Sequence, residues 1–194
     1  MAFELANVAH IAVLMIMLPC FVRTTCPNII SRQEWNAAAP SSSKSLRENP
    51  PSYVVVHHSV TRMCNTTEDC KLLMKSIQNT HMNTNGWEDI GYNFLIGNDG
   101  NIYEGRGWGI HGAHAISYNA RSLGICLIGN FEEYPPSESQ LQALRELIAC
   151  SLEENKLIED YNLIGHNQES ATLCPGKYLY NEIKTWSHFN NNPK

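Results

Sequence analysis

Short apolar runs of strand length, each closed by polar or turn-forming residues, constrain the possible folds of this chain more than any other feature. Residues 53–56 (YVVV) are β-branched or aromatic and run directly into His57 and His58, a pattern typical of a buried strand. Residues 123–128 (LGICLI) form a second run that ends at a Gly-Asn pair and predicts a central strand. The two histidines are therefore expected at the end of a buried strand.

The other patterned segments predict a hairpin and three helices. Residues 92–96 (YNFLI) and 102–104 are separated by a turn rich in Gly, Asn and Asp, which predicts a β-hairpin. Apolar residues at helical spacing predict helices over residues 69–82, 137–154 and 178–186. The second helix also has a capping-box signature at its start, because Ser137 is followed three residues later by Gln140.

The composition limits both the number of domains and the kind of ligand. At 194 residues, of which 43% are hydrophobic and 17% charged, the chain has the length of one globular domain. Its formal net charge of -5 removes the long-range attraction that a non-specific nucleic-acid binder requires. Nucleic acid is therefore not an expected partner.

The N-terminal segment indicates secretion. Residues 11–22 (IAVLMIMLPCFV) are apolar but too few to span a bilayer, and they have the length of a signal-peptide core. We expect a signal peptide over residues 1–24, cleaved within residues 20–25, and a mature extracellular domain over residues 25–194 with no membrane span. The flank contains Glu4 and no Lys or Arg, which leaves a buried N-terminal helix or a retained anchor as alternatives.

Secretion makes the cysteines informative, because disulfides persist outside the cell. If Cys20 leaves with the signal peptide, six cysteines remain, and their pairing stays open on spacing alone. These six are Cys26, Cys64, Cys70, Cys126, Cys150 and Cys174. Asn65, followed by two threonines, is a glycosylation acceptor sequence and is expected on an exposed loop.

Histidine and cysteine residues in two segments could form a zinc site. A hydrolytic zinc takes three protein ligands, commonly His or Cys, and leaves a fourth position for water. The candidates are His57 or His58, together with His166 and Cys174. The last two lie eight residues apart in the loop GHNQESATLCPG, a spacing that lets both side chains turn toward one point. The same spacing also allows Cys174 in a disulfide, with the histidines simply exposed.

Four separated segments resemble the peptidoglycan recognition protein family and the related phage amidase called a lysozyme. They are VVVHHS, NGWEDIGYNFLIGNDGNIYEGRGW, GAHAISYNARSLGICLIGNF and GHNQESATLCPG. The likeness runs from about Cys26 to Phe189 and so covers nearly all of the mature chain. The resemblance implies an α/β fold of one domain, with a central mixed sheet flanked by helices and a groove on the strand-end side that presents His57 and Tyr92.

The resemblance also implies an activity and a set of site residues. His57, His166 and Cys174 would hold zinc, and Tyr92 and Thr172 would complete the site of an N-acetylmuramoyl-L-alanine amidase. Tyr92 would orient the attacking water or donate to the developing oxyanion, and Thr172 would hold the substrate carbonyl or the tetrahedral intermediate. Family members that only bind usually lack the cysteine, so Cys174 favours an enzyme of innate immunity.

Two other functions stay open alongside the amidase. One is a non-catalytic receptor that senses peptidoglycan, and the other is a bactericidal protein that acts by binding the wall. The expected partner in each case is bacterial peptidoglycan, and the expected state of the protein is a monomer. The family pattern further pairs Cys64 with Cys70 and Cys26 with Cys150, which leaves Cys126 as a free thiol in its apolar run.

The resemblance supplies substrate contacts as well. The matching positions are His58, His81, Gly86, Trp87, Arg106, His114 and Asn119. A Gly-Trp pair and an arginine imply a preference for diaminopimelate-type peptidoglycan, because a guanidinium can meet the extra carboxylate of diaminopimelate bidentately. Alternatively, Arg106 pairs with Glu104 or Glu88. Glu169 and Leu173 depart from the usual family pattern. The turnover rate is the property that this departure would affect most.

Overall fold

The computed structural model of the chain describes residues 26–193. The expected signal peptide and its cleavage site lie outside the described residues. Within them, the chain forms a six-stranded sheet and three α-helices. The strands are β1 Ile29–Ile30, β2 Tyr53–His58, β3 Phe94–Ile96, β4 Ile102–Glu104, β5 Ser122–Leu127 and β6 Asn162–Gly165; the helices are α1 Thr67–Asn79, α2 Glu138–Glu153 and α3 Lys177–Ile183.

The sheet is mixed, as expected, with strand order β1-β4-β3-β5-β2-β6. Strand β2 pairs in parallel with β5 on one side and with β6 on the other, while β3 and β4 form the antiparallel hairpin. Because β2, β5 and β6 are parallel, their carboxyl ends meet at one edge of the sheet. His57 and His58 end β2 at that edge, and His166 follows β6 directly.

Side chains alternate across β2 and divide its residues between two faces. Val54 and Val56 pack into the core formed with α2 and α3, whereas Val55 belongs to a separate cluster on the opposite face. The same alternation sends His58 toward the α2/α3 face and His57 away from it. Of the two histidines, only His57 therefore lies on the face turned away from α2 and α3.

Local sequence signals explain where several elements begin. At the start of α2, Ser137 Oγ accepts a hydrogen bond from Gln140 N–H, and the glutamine side chain accepts one from Ser137 N–H, so the predicted capping box is present. Helix α1 ends at Asn79 and continues as a π-helical turn over Thr80–Thr84. Strand β3 begins at Phe94, two residues later than the apolar run indicated, because the Tyr92 carbonyl accepts the Arg106 N–H of a turn.

Two disulfides tie loops and the N-terminal segment to helices. Cys26 is bonded to Cys150 of α2, and Cys64 is bonded to Cys70 of α1, the pairing that the resemblance implied. Cys126 and Cys174 are the free cysteines within residues 26–193. In that same part of the chain, none of the helices is long and apolar enough to cross a membrane.

Candidate metal centre

Three side chains from different parts of the chain converge at the carboxyl edge of the sheet. His57 comes from β2, His166 from the turn after β6, and Cys174 from the loop before α3, and their ligand atoms all lie within 4.8 Å of one another. His57 Nδ1 is 3.6 Å from Cys174 Sγ. A tetrahedral zinc with ordinary Zn–N and Zn–S bonds separates such atoms by roughly 3.6 Å. The donor set and its spacing therefore fit zinc.

The orientation of His57 is fixed by His114. His57 Nε2 lies 3.0 Å from His114 Nδ1, which leaves His57 Nδ1 for the metal. His114 Nε2 lies 3.5 Å from Ser122 Oγ, and the Ser122 hydroxyl donates to the Tyr118 carbonyl. A consistent proton arrangement has each ring donating through Nε2–H, which holds the His57 ring in the tautomer that a metal needs. The substrate contact expected of His114 stays a prediction, and the structure places its ring beside the candidate ligand His57.

Gly124 of β5 makes room for the His114 ring. A Cβ atom at Gly124 would overlap the Cδ2, Nε2 and Cε1 atoms of that ring. The sequence contained a signal for this contact, because glycine inside a strand often marks the close approach of another group. The sequence alone does not identify Gly124 as part of the site, because the identity of the approaching group depends on the fold.

Replacement of Gly124 by alanine is expected to displace His114 and to loosen His57. The overpacking should lower the free energy of unfolding by about 1–3 kcal/mol, and the loss of ligand orientation should weaken zinc binding by about 10-fold. Thermal unfolding in chelator and competition with a chromogenic chelator measure the two effects. Wild-type zinc affinity in a Gly124→Ala variant would contradict the proposed contact between His114 and the ligand.

The protonation states of the ligands follow from their burial. Burial raises the pKa of the Cys174 thiol to about 12, although the His58 N–H, 3.4 Å from Sγ, acts in the opposite direction. Burial also lowers the pKa of His57 far below its usual range, with smaller effects from His114 and His166, and it lowers the pKa of His166. At neutral pH the protein alone therefore holds two neutral imidazoles and a protonated thiol.

Zinc binding is expected to release at least one proton per site near pH 7.5, because the thiol must become a thiolate while the histidines are already neutral, and ionisation of a zinc-bound water would add to that number. Titration calorimetry in buffers of different ionisation enthalpy measures the number released. As the pH falls toward the lowered pKa of His166, the zinc affinity should fall more steeply than ionisation of the thiol alone explains, because the unliganded histidine begins to compete for protons. A release near zero would show that Cys174 is not a ligand.

Tyr92 lies beside the metal ligands. Its ring centroid is 5.2 Å from that of His57, and its hydroxyl lies near the Cys126 thiol. Burial raises the pKa of Tyr92 well above its ordinary value, and Cys126 and Cys174 add to the rise. Tyr92 is thus suited to donate a hydrogen bond rather than to act as a base. Cys126 reaches this position because β5 pairs it with His57 of β2, a register that the sequence did not reveal.

Comparisons with known proteins agree with this geometry. Residues 47–177 match the family model described as N-acetylmuramoyl-L-alanine amidase. The chain is 45% identical over 168 residues to peptidoglycan-recognition protein SA of Drosophila melanogaster, covering 87% of this chain and 82% of the relative. It is 41% identical over 177 residues to protein SC2 of the same fly, covering 91% of this chain and 96% of the relative. The chain belongs to the peptidoglycan recognition protein family. The resemblance and the fold class expected from the sequence are therefore confirmed.

A solved structure of the family shows the same architecture. The crystal structure of peptidoglycan recognition protein LE in complex with tracheal cytotoxin, a monomeric diaminopimelic acid-type peptidoglycan, superposes with a TM-score of 0.82 at 43% sequence identity. The match covers 84% of this chain and 96% of that one. The present peptidoglycan recognition protein thus shares its fold with a family member that binds a muropeptide.

In this peptidoglycan recognition protein, a series of ring contacts extends from the candidate ligand His57 to Trp87. The ring centroids of Tyr92 and His81 are 5.6 Å apart, and those of His81 and Trp87 are 4.7 Å apart. His81 Nδ1 accepts the Gly91 N–H at 2.9 Å, and burial lowers the pKa of His81 to about 4, so the ring is neutral. Trp87 is 37% exposed, and Gly86 beside it is exposed with φ +70. Together these residues form a surface that a ligand can contact.

Three other expected site residues accept hydrogen bonds from backbone N–H groups of other residues in this peptidoglycan recognition protein. His58 Nδ1 accepts the Phe131 N–H at 3.2 Å on the sheet face opposite His57. Asn119 Oδ1 accepts the N–H groups of His114 and its neighbour, which fixes the loop that carries His114. Thr172 Oγ1 accepts the Cys174 N–H at 3.2 Å. The substrate contacts assigned to His58, Asn119 and Thr172 stay predictions.

The side chain of Arg106 is buried. Its side chain is 7% exposed and its Nη2 lies 3.9 Å from Glu88 Oε2. Nε donates to the Ile90 carbonyl and Nη1 donates to the His111 carbonyl. Within residues 26–193, Nη2 has no hydrogen-bond partner. Of the two alternative carboxylates, Glu88 is therefore the nearer, although it lies beyond hydrogen-bond distance.

Proposed function

We propose that this chain is a secreted, zinc-dependent N-acetylmuramoyl-L-alanine amidase of innate immunity. It binds bacterial peptidoglycan and hydrolyses the amide between the lactyl group of muramic acid and the stem peptide. The observation that carries the proposal is the convergence of the His57, His166 and Cys174 ligand atoms within 4.8 Å, next to a tyrosine suited to donate a hydrogen bond. Binding alone does not require this combination.

Extracellular action is supported by the two disulfides, which are typical of an oxidising compartment. A signal peptide over residues 1–24 and a mature domain over residues 25–194 complete this part of the proposal. Asn65 is exposed, and its Oδ1 accepts a hydrogen bond from Asn98 Nδ2. An exposed acceptor asparagine is accessible to glycosylation during secretion.

The residues of the centre divide the work of amide hydrolysis. Zinc, when bound, supplies a water of lowered pKa and polarises the scissile carbonyl. His57, His166 and Cys174 would hold the metal. The Tyr92 hydroxyl, kept protonated, donates a hydrogen bond to the oxygen on which negative charge develops. Water adds to the carbonyl carbon, the C–N bond breaks, and the stem peptide leaves with a free amino group.

The proposed ligand is a muropeptide of the diaminopimelate type. Trp87, His81 and Tyr92 offer ring faces and hydrogen-bonding groups for the sugar and peptide, and the LE relative is recorded with a diaminopimelic acid-type ligand. Nη2 of Arg106, without a hydrogen-bond partner among the described residues, is a natural partner for the carboxylate that lysine-type stems lack. Its neighbour Glu88 competes for the same guanidinium.

Substitution of Arg106 by lysine is expected to reduce the preference for diaminopimelate-type over lysine-type muropeptides by roughly 10-fold, because a compact ammonium cannot make the forked contact. Calorimetric affinities for the two muropeptides measure the ratio. Arg47→Lys is the matched control, since Arg47 has a side chain that is 74% exposed. An unchanged ratio in folded Arg106→Lys would remove Arg106 from specificity and favour its pairing with Glu88.

The proposal is tested by incubating the mature protein with diaminopimelate-type peptidoglycan, with stoichiometric zinc or with a chelator. We expect stem peptides to be released only in the presence of zinc, while sedimentation shows that the protein binds the polymer in both conditions. Binding without release at any zinc concentration would identify a recognition receptor instead. Release that persists in the chelator would reject the zinc mechanism.

A further inference from the structure

The structure places Glu169 against His166, one of the three candidate metal ligands. Its side chain is only 7% exposed, and its Oε2 lies 3.7 Å from His166 Nε2. This distance is within the range of an ion pair and slightly longer than a hydrogen bond. Because Nε2 faces Glu169, the nitrogen of His166 that remains for a metal is Nδ1.

The Glu169 carboxylate is itself held on two sides. Oε1 accepts the Ser117 N–H at 3.2 Å, and Oε2 accepts the hydroxyl of Ser170. Burial acts to raise the pKa of Glu169, but the hydrogen bonds from Ser170 and Ser117 outweigh it, and the pKa is lowered. The side chain is thus a carboxylate at neutral pH with little freedom to turn away from His166.

We propose that Glu169 is a positioning residue for zinc in this chain. Its carboxylate, 3.7 Å from Nε2, attracts the Nε2–H edge of His166 electrostatically, favours the ring orientation with Nδ1 toward the metal, and increases the basicity of Nδ1. The inference rests on the zinc site of the proposed function and extends it by one residue. Glu169 touches neither the metal position nor the reacting atoms, so its effect passes through His166.

The same carboxylate also connects two loops that support different ligands. Ser117, which donates to Glu169, lies in the loop that carries His114. His114 in turn lies 3.0 Å from His57 Nε2. Through these contacts Glu169 fixes His166 directly and helps to fix the loop behind His57, so its removal should affect zinc affinity more than a surface charge would.

The discriminating variant is Glu169→Gln. The glutamine oxygen can still accept the Ser117 N–H, but its amide NH2 then faces the His166 Nε2–H, donor against donor. Zinc affinity, measured by competition with a chromogenic chelator, is expected to fall about 10- to 100-fold. Glu159→Gln removes the same charge from an exposed position and should keep wild-type affinity. Glu169→Asp keeps the negative charge, but its shorter side chain places the carboxylate farther from the His166 ring. This variant should therefore also weaken zinc binding.

Unfolding of each variant in chelator confirms that the comparison is between folded proteins. Wild-type zinc affinity in both Glu169→Gln and Glu169→Asp would overturn the positioning role while leaving the amidase proposal intact. Equal loss in Glu159→Gln would also overturn it, because a general charge effect would then explain the result. Failure of the wild type to bind zinc would instead reject the proposed function, and with it the role of Glu169.

Discussion

Serine in place of Cys174 is expected to abolish zinc binding and to lower amide hydrolysis by about 1,000-fold or more, equivalent to about 4 kcal/mol of transition-state stabilisation. A serine hydroxyl does not ionise near neutral pH and is a poor zinc ligand, so two of the three ligands remain. The fold should persist, because serine is smaller than cysteine and its oxygen can accept the His58 N–H that now points at Sγ.

Metal analysis, hydrolysis of a defined muropeptide and sedimentation with peptidoglycan together measure the effect of Cys174→Ser. Cys126→Ser is the matched control for zinc content, because Cys126 is the other buried free cysteine of the described chain and is not one of the three ligands. The control should keep one zinc per chain. Stoichiometric zinc or wild-type turnover in Cys174→Ser would contradict the assignment of the thiolate as a ligand.

The second large effect is expected from Tyr92→Phe, with a fall in kcat of about 100- to 1,000-fold. Burial raises the pKa of Tyr92, so the wild-type residue is a hydrogen-bond donor, and phenylalanine keeps the ring while removing the donor. Zinc content and muropeptide affinity should stay within a few-fold of wild type. The loss therefore appears in kcat rather than in KM.

Steady-state kinetics on a soluble muropeptide separate the two constants. Tyr178→Phe is the matched control, because Tyr178 is 41% exposed and should leave both constants unchanged. If Tyr92→Phe raised KM and left kcat as in the wild type, Tyr92 would be a substrate contact in the ground state. Such a result would contradict its role at the developing oxyanion.

The sequence predicted the elements of the fold because their signals are local. The run at residues 53–56 alternates across a buried strand, and the Ser137 to Gln140 box caps α2 as expected. Element ends were less predictable, since they depend on contacts from elsewhere in the chain. Apolar residues alone could not show that Tyr92 precedes β3, where its carbonyl serves a turn from the next segment.

The site was only partly predictable, for a related reason. Ligand types and their order identified His57, His166 and Cys174 through the family resemblance, and the structure brings these three together. The groups that orient them depend on strand register and loop packing. Gly124 admits the His114 ring, and Cys126 reaches the Tyr92 hydroxyl, only because β5 pairs with β2 in one register.

The opposite directions of His57 and His58 show what strand geometry adds to a motif. The paired histidines look equivalent in sequence, and both were expected at the site. Because successive side chains point to opposite faces of a sheet, His57 faces the metal centre while His58 accepts the Phe131 N–H on the other face. The contact of His58 with substrate stays a prediction.

The most direct test of the zinc amidase is mass analysis of a monomeric diaminopimelate-type muropeptide after incubation with the mature protein and one equivalent of zinc. We expect two products, a sugar with a free lactyl carboxylate and a stem peptide with a free N-terminal alanine, neither of them formed in chelator. An intact muropeptide, recovered in complex with the zinc-loaded protein, would contradict hydrolysis and leave recognition as the function.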